Sequence, residues 1–85
     1  MDLTSQNCGV IFKTRRLALN YTQDYVAYKL KISQNSYSNI ELGYVQLTLD
    51  RFLCICQILD INIAALLTAN SVAALQSEHL FEPAA

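Results

Sequence analysis

The sequence predicts an all-α fold, and three observations point to it. The 85 residues include only two glycines and one proline, too few for a loop-rich or all-β domain. A hydrophobic content of 53% is too high for a disordered chain and allows a modest core. Apolar residues recur at helical spacing behind suitable capping residues. We predict five helices in a single domain, residues 1–68, followed by a short C-terminal tail, residues 69–85.

Helices one and two are predicted from their ends. Helix one opens near Asn7 and ends near Asn20, with apolar residues among basic ones. Helix two begins after Thr22, whose side-chain oxygen can accept an N–H of the first turn. It runs over residues 23–30, and its inward positions are apolar: Val26, Ala27 and Leu30.

Helix three is predicted over residues 34–42, with Ser33 as its cap and Gly43 in the left-handed conformation that ends many helices. Its inward residues are Tyr37 and Ile40. Helix N-termini favour anions such as phosphate, and two similar helix starts lie eleven residues apart. Two short helices joined by a tight turn suggest a helix-turn-helix that docks on DNA.

Helices four and five complete the predicted fold. Thr48 can cap helix four, which is apolar almost all round over residues 49–59. A helix of that kind is expected at the centre of the core. Asn62 can cap helix five, and residues 44–48 form a loop before helix four.

Charge is unevenly distributed along the chain. The net charge is −1, yet residues 1–31 carry five of the six basic groups and residues 60–85 carry none. Residues 32–50 also contain no basic residue. A basic end can face phosphate while an acidic end faces away, although the total is low for a DNA binder.

Residues that could support catalysis or metal binding are few. His79 is the only histidine, and the three cysteines lack the spacing of a zinc site: Cys8, Cys54 and Cys56. Cys54 and Cys56 should point to different faces of helix four. No paired carboxylates, Gly-rich loop or Ser/His/Asp grouping occurs. We expect no enzyme activity, metal, cofactor or small-molecule ligand.

The sequence also gives no sign of a membrane segment. No apolar run approaches the roughly 18 residues that span a bilayer. The N-terminus lacks the basic start and apolar block of a secretory signal. We therefore expect a cytoplasmic protein that is associated with the nucleoid when DNA-bound.

The predicted helix-turn-helix contains a run of residues that is more specific than its apolar spacing, Tyr37-Ser-Asn-Ile-Glu-Leu-Gly43. With other matching residues it covers residues 9–67 in register, among them Gly9, Phe12, Arg16, Thr22, Gln23, Ile32, Ser33, Gln34 and Thr48. The pattern resembles the Cro/C1-type (XRE) helix-turn-helix family. The resemblance implies a five-helix, lambda-repressor-like domain whose third helix enters the major groove of double-stranded DNA.

The resemblance also implies site residues. Its candidate base readers are Gln34, Asn35 and Asn39, whose amides can bond bidentately to adenine. The alternative is that these side chains merely solvate an exposed face. Its candidate phosphate contacts are Gln23, Ser36, Ser38, Lys13, Arg15, Tyr44 and Gln46.

The same resemblance bears on four residues that position the reading helix or form its turn. Gln23 is similar to a family glutamine that buttresses the glutamine opening helix three. Arg16 and Glu41 resemble a structural ion pair between helices one and three. Lys31 stands where the family often has glycine, so it must adopt an unusual φ or a different turn.

Apolar residues of helix five and the tail predict a homodimer. They form a set without basic neighbours: Ile63, Leu66, Leu67, Val72, Leu75, Leu80 and Phe81. A contiguous apolar patch usually marks an interface. The alternative is that the tail folds back on its own domain.

Two functions remain open at this point. The first is a sequence-specific transcriptional regulator, a repressor, that binds a two-fold symmetric operator as a homodimer. The second is a protein-interaction module on the same fold, such as an antitoxin-like or regulator-binding partner. Low charge and the aromatic residues Tyr25, Tyr28 and Tyr44 favour the second.

Overall fold

The computed structural model describes residues 4–68, with side chains as far as Leu66, and all regular secondary structure in that range is helical. The prediction of an all-α fold with five helices is confirmed, whereas the predicted tail lies outside the described residues. No helix in this range is long and apolar enough to cross a membrane. The helices are α1 (Ser5–Ala18), α2 (Gln23–Leu30), α3 (Gln34–Glu41), α4 (Leu49–Ile58) and α5 (Ile63–Thr68).

Every helix starts behind a polar side chain that accepts a backbone N–H three residues further on. These caps are Thr4, Thr22, Ser33, Thr48 and Asn62, with N···O distances of 3.0 to 3.2 Å. Helix α1 begins at Ser5, two residues before the predicted start near Asn7. Thr4 is the cap, and the N–H of Asn7 is the group that it accepts.

The first four helices end in the same way, at a residue with positive φ. These residues are Asn20, Lys31, Gly43 and Asp60, with φ of 60°, 60°, 77° and 56°. In each case the residue after the positive-φ residue donates its backbone N–H to the carbonyl oxygen of the residue five positions before it, at 2.8 to 3.0 Å. Asparagine, aspartate and glycine suit this conformation, but lysine does not, so Lys31 carries a strain of about 1 kcal/mol.

The core lies where the five helices meet. One fully buried side chain from each helix illustrates it: Phe12, Val26, Tyr37, Ile55 and Leu66. Burying apolar surface of this kind is the main stabilising contribution in a small domain. The predicted inward residues of α2 and α3 are buried, apart from Leu30, which is half-buried.

The structure corrects the prediction that α4 lies at the centre of the core, because one side of this helix is exposed. Leu49 is 71% exposed and Leu53 is 38% exposed, whereas Ile55 and Cys56 are fully buried. A domain of this size has too few neighbouring helices to cover every face of an apolar helix. Cys54 is exposed, so it and Cys56 lie on different faces, as predicted.

Helix α1 crosses the C-terminal end of α3 at Gly9. A Cβ atom at this position would collide with the backbone carbonyls of Ile40 and Glu41. Only glycine therefore allows the two helices to approach so closely. This contact sets how α3 sits on the rest of the domain.

Candidate nucleic-acid interface

Helix α3 presents a polar surface to solvent and an apolar surface to the core. Gln34 and Asn35 are exposed and Asn39 is half-buried, whereas Tyr37 and Ile40 are buried. The three candidate base readers therefore lie on the outward side of one short helix. Each amide offers both a donor and an acceptor, the combination that can read an adenine edge.

The start of α3 is also open to solvent. Ser33 accepts the N–H of Ser36 at 3.0 Å, and its hydroxyl donates to the Ser36 hydroxyl oxygen at 2.9 Å. Ser36 remains exposed, so its own hydroxyl proton can still reach a phosphate oxygen. The exposed first turn of α3 carries no acidic residue that would oppose an anion.

A buried polar network fixes α3 against α1. Arg16 donates from Nε and Nη2 to the two carboxylate oxygens of Glu41, at 2.7 and 3.2 Å. Arg16 Nη1 donates to the carbonyl of Tyr21 at 2.8 Å. Both charged residues are only 7% exposed. This bidentate pair is the contact that the resemblance implies, and it determines the orientation of the exposed face of α3.

The network sets the protonation of its members. Burial raises the pKa of Glu41, but hydrogen bonds from Arg16 and Gln23 and the Arg16 charge outweigh it, so the pKa is lowered. The hydrogen bond to Glu41 raises the pKa of Arg16. Both groups are therefore charged at neutral pH.

The hydroxyl of Tyr37 lies beside this ion pair. It is the one buried side-chain polar atom of residues 4–66 without a hydrogen-bond partner. Burial raises the pKa of Tyr37, and the neighbouring Glu41 carboxylate raises it further, so the phenol stays protonated. Its ring fills the core beneath α3.

Gln23 bonds to Glu41 rather than to Gln34. Its Nε2 donates to the Glu41 carboxylate at 3.1 Å, which ties the start of α2 to the end of α3. The prediction that Gln23 buttresses Gln34 is thereby corrected. Asp24 is exposed in the first turn of α2, and its charge disfavours a phosphate at that helix start.

The placement of Arg15 corrects its predicted phosphate contact. Its Nε donates to the carbonyl of Leu59 at 2.8 Å, and Nη2 lies 3.4 Å from the Asp60 carbonyl and 3.8 Å from its carboxylate. The Arg15 side chain is only 14% exposed. The guanidinium satisfies carbonyls at the end of α4 and is withdrawn from the surface.

Two surface grooves flank α3. The α1-side groove is lined by Lys13, Gln23, Ser38 and Leu42. Three of these four residues were predicted as phosphate contacts, and the structure brings them together. Lys13 is exposed, so its ammonium group can reach the groove.

The α4-side groove lies between α3 and the start of α4. It is lined by Ser36, Asn39, Gln46 and Arg51. Tyr44, another predicted phosphate contact, is 74% exposed on the preceding loop. Arg51 was not among the predicted contacts. Its position in the first turn after the Thr48 cap was the signal that could have identified it.

The structure alters the predicted dimer interface. Leu66 is fully buried in the core, so it is not available to a second copy. Ile63 is partly buried against the same core. The other predicted interface side chains, from Leu67 onward, lie outside the described residues.

The cysteines are free thiols in different environments. Cys8 and Cys56 are buried and Cys54 is exposed. Burial raises the pKa of Cys56 to about 12, with a smaller effect from Cys8. No group of three or more His, Cys, Asp or Glu side chains that could hold a metal occurs within residues 4–66.

Comparison with known families agrees with this geometry. A family model described as helix-turn-helix matches residues 12–66, more than half of the chain. The chain belongs to the Cro/C1-type (XRE) helix-turn-helix family. This XRE-family protein is therefore a DNA-binding regulator of that type. No curated protein and no solved structure matches the chain.

Proposed function

We propose that this XRE-family protein is a repressor that binds a two-fold symmetric operator as a homodimer. In each half-site α3 lies in the major groove, with Gln34, Asn35 and Asn39 toward the base edges. The observation that carries the proposal is the exposed amide pair of Gln34 and Asn35. These amides lie on a helix whose orientation the Arg16–Glu41 pair fixes.

Phosphate contacts position the reading helix but carry no sequence information. Lys13 and Ser38 lie on the α1 side of α3, and Ser36 and Gln46 lie on the α4 side. We infer that these two sets of side chains contact phosphates of the two DNA strands that border one major groove. Such contacts fix the register of α3 on the duplex.

Selection of bound duplexes from a random pool tests this function. We expect a two-fold symmetric consensus, with half-sites about one helical turn apart. Gln34→Ala and Asn35→Ala should each lose roughly 1–3 kcal/mol on the selected site and little on random DNA. Leu17→Ala is the control, because it truncates an exposed side chain of α1 that lines neither groove beside α3 nor the groove between α2 and α4.

Losses of equal size on selected and random duplexes would reassign Gln34 and Asn35 to general contacts. A consensus without two-fold symmetry would contradict the dimer. Repression is tested separately with a reporter whose promoter overlaps the selected site, where we expect expression to fall. Increased expression would make the protein an activator.

The homodimer has support in the apolar surface of α4. Leu49 and Leu53 are one turn apart and both exposed, and apolar residues follow in the tail sequence. A dimer would also double a small phosphate footprint. In sedimentation the full chain should be a dimer. A version ending at Thr68 should also dimerise, but with a higher dissociation constant. A monomeric full chain at micromolar concentration would contradict the dimer.

The second function is a protein-interaction module on the same fold. Exposed aromatic side chains favour it, since Tyr28 is 77% exposed and Tyr25 is 41% exposed on α2. Salt separates the two functions. DNA binding should weaken steeply as salt rises, whereas an apolar protein contact should not.

A further inference from the structure

The cationic side chains are concentrated on one surface. The chain has six lysines and arginines, and Arg15 and Arg16 are occupied by carbonyls and carboxylates of the domain itself. Three of the remaining four, Lys29, Lys31 and Arg51, line one groove. A chain with a net charge of −1 therefore has a groove lined by three cations.

This basic groove runs between the end of α2 and one face of α4. Lys29 and Lys31 are exposed and Arg51 is half-buried, whereas Asp50 is the one acidic residue of the described chain in its lining. Arg51 and Thr48 also line the α4-side groove beside α3. The basic groove therefore continues directly from the surface that flanks the reading helix.

The backbone at Lys31 supports a role for its charge. Lys31 ends α2 with φ of 60°, where glycine would be unstrained. The comparable positions of the other helices hold asparagine, glycine or aspartate. Lysine thus occupies the one strained helix end, and that end borders the basic groove.

We propose that Lys29, Lys31 and Arg51 bind phosphates of the DNA backbone beyond the stretch that α3 reads, and so extend the footprint along one strand. The proposal rests on DNA binding as proposed above. Phosphodiesters suit this groove, because their negative charges follow one another along a DNA strand and can pair with the cations that line the groove. The groove is open at the end nearest α3, so one strand can pass from α3 into it.

Lys31→Gly separates binding from folding. The substitution relieves a left-handed lysine, so we expect a higher melting temperature. It also removes one phosphate contact, so affinity for DNA should fall and the slope of log K against log salt should decrease by about 1. Unchanged or increased DNA affinity in this more stable variant would overturn the proposal.

Duplex length gives a second measurement. The full chain is titrated with the selected operator trimmed to the read base pairs, and with the same operator extended by about one helical turn on each side. We expect Lys29→Gln and Arg51→Gln to weaken binding to the extended duplex several-fold more than to the trimmed one. Lys13→Gln is the matched control, since it lies on the α1 side and should weaken both equally.

Equal affinity of wild type for the two duplexes, or equal losses in all variants, would overturn the extended footprint. The proposed operator binding has its own readout, the selection of a consensus. If no consensus emerges, random duplex still tests the basic groove, because that binding is electrostatic. Salt slopes on random DNA that match wild type in all three groove variants would then overturn the basic-groove proposal alone.

Discussion

On the α1 side of α3 the contacts are buried and tightly fitted, whereas on the α4 side they are open and cationic. Gly9 and the Arg16–Glu41 pair hold α1 against α3 with no room for a Cβ atom. Arg51, by contrast, lies in a groove open to solvent, with Lys29 and Lys31 beyond it. Two arginines on the two sides of one helix thus meet very different surroundings.

The difference indicates a division between folding and binding. A reading helix needs a fixed orientation, and the α1 side supplies it through groups that no ligand can reach. Phosphate contacts need accessible cations, and the α4 side holds most of them. Substitutions of the buried contacts between α1 and α3 should therefore act on stability, and substitutions of the cations on the α4 side should act on DNA affinity.

The largest expected effect is the contrast between Arg16→Ala and Arg51→Ala. Arg16→Ala leaves the Glu41 carboxylate buried without its partner and should lower the free energy of unfolding by about 3–5 kcal/mol. Arg51→Ala removes a half-buried surface side chain and should cost about 0.5 kcal/mol or less. Urea denaturation measures both. Similar losses of stability in the two variants would contradict the division between folding and binding. An Arg16→Ala variant with unchanged stability and lost DNA binding would contradict it as well.

Gly9→Ala should have the next largest effect. The added methyl group meets backbone carbonyls of α3, which cannot rotate away, so we expect a loss of about 2–3 kcal/mol. Val10→Ala, on the neighbouring exposed position, should change stability by about 0.5 kcal/mol or less. Thermal denaturation of the two variants would show whether the helix crossing is as tight as the structure indicates.

The ion pair should also make stability depend on acid pH. Because the folded pKa of Glu41 is lowered, its stabilisation is fully present above the unfolded pKa, about 4.3. It is lost as pH falls through the lower folded pKa. Denaturation between neutral pH and about pH 3 should show this decline, and Glu41→Gln should flatten it. Parallel pH profiles in the two proteins would exclude Glu41 as the titrating group.

Tyr37→Phe should have the smallest effect of the four. The hydroxyl is buried without a partner, so its removal should be neutral or stabilising by up to about 1 kcal/mol. A hydroxyl bonded to the Glu41 carboxylate would instead cost about 1–3 kcal/mol when removed. Calorimetry of this variant therefore tests whether the Tyr37 hydroxyl contributes a hydrogen bond to the Arg16–Glu41 pair.

Local signals made much of the fold predictable from sequence. The caps Thr22, Ser33, Thr48 and Asn62 and the glycine at 43 act on backbone groups within a few residues, so their effects are written locally. The start of α1 was predicted less accurately, because the local capping signal occurs twice there. Thr4 and Asn7 are both good caps, and only the fold decides between them.

Properties that depend on neighbours were harder to predict. Hydrophobicity identified Leu49 and Leu53 as apolar but could not show that no described helix covers them. Arg15 and Arg16 are adjacent and chemically identical, yet one caps α4 and the other pairs with Glu41. Arg51 joins the surface beside α3 only after the chain folds back along α4. Such assignments require three-dimensional contacts.

The exposed thiol of Cys54 has a practical consequence for following this molecule at work. Cys54 lines the basic groove one turn along α4 from Arg51, while Cys8 and Cys56 are shielded in the core. A maleimide dye should therefore attach at this single position of the described domain without denaturation. Its emission would report in real time when the basic groove fills, independently of base recognition by α3.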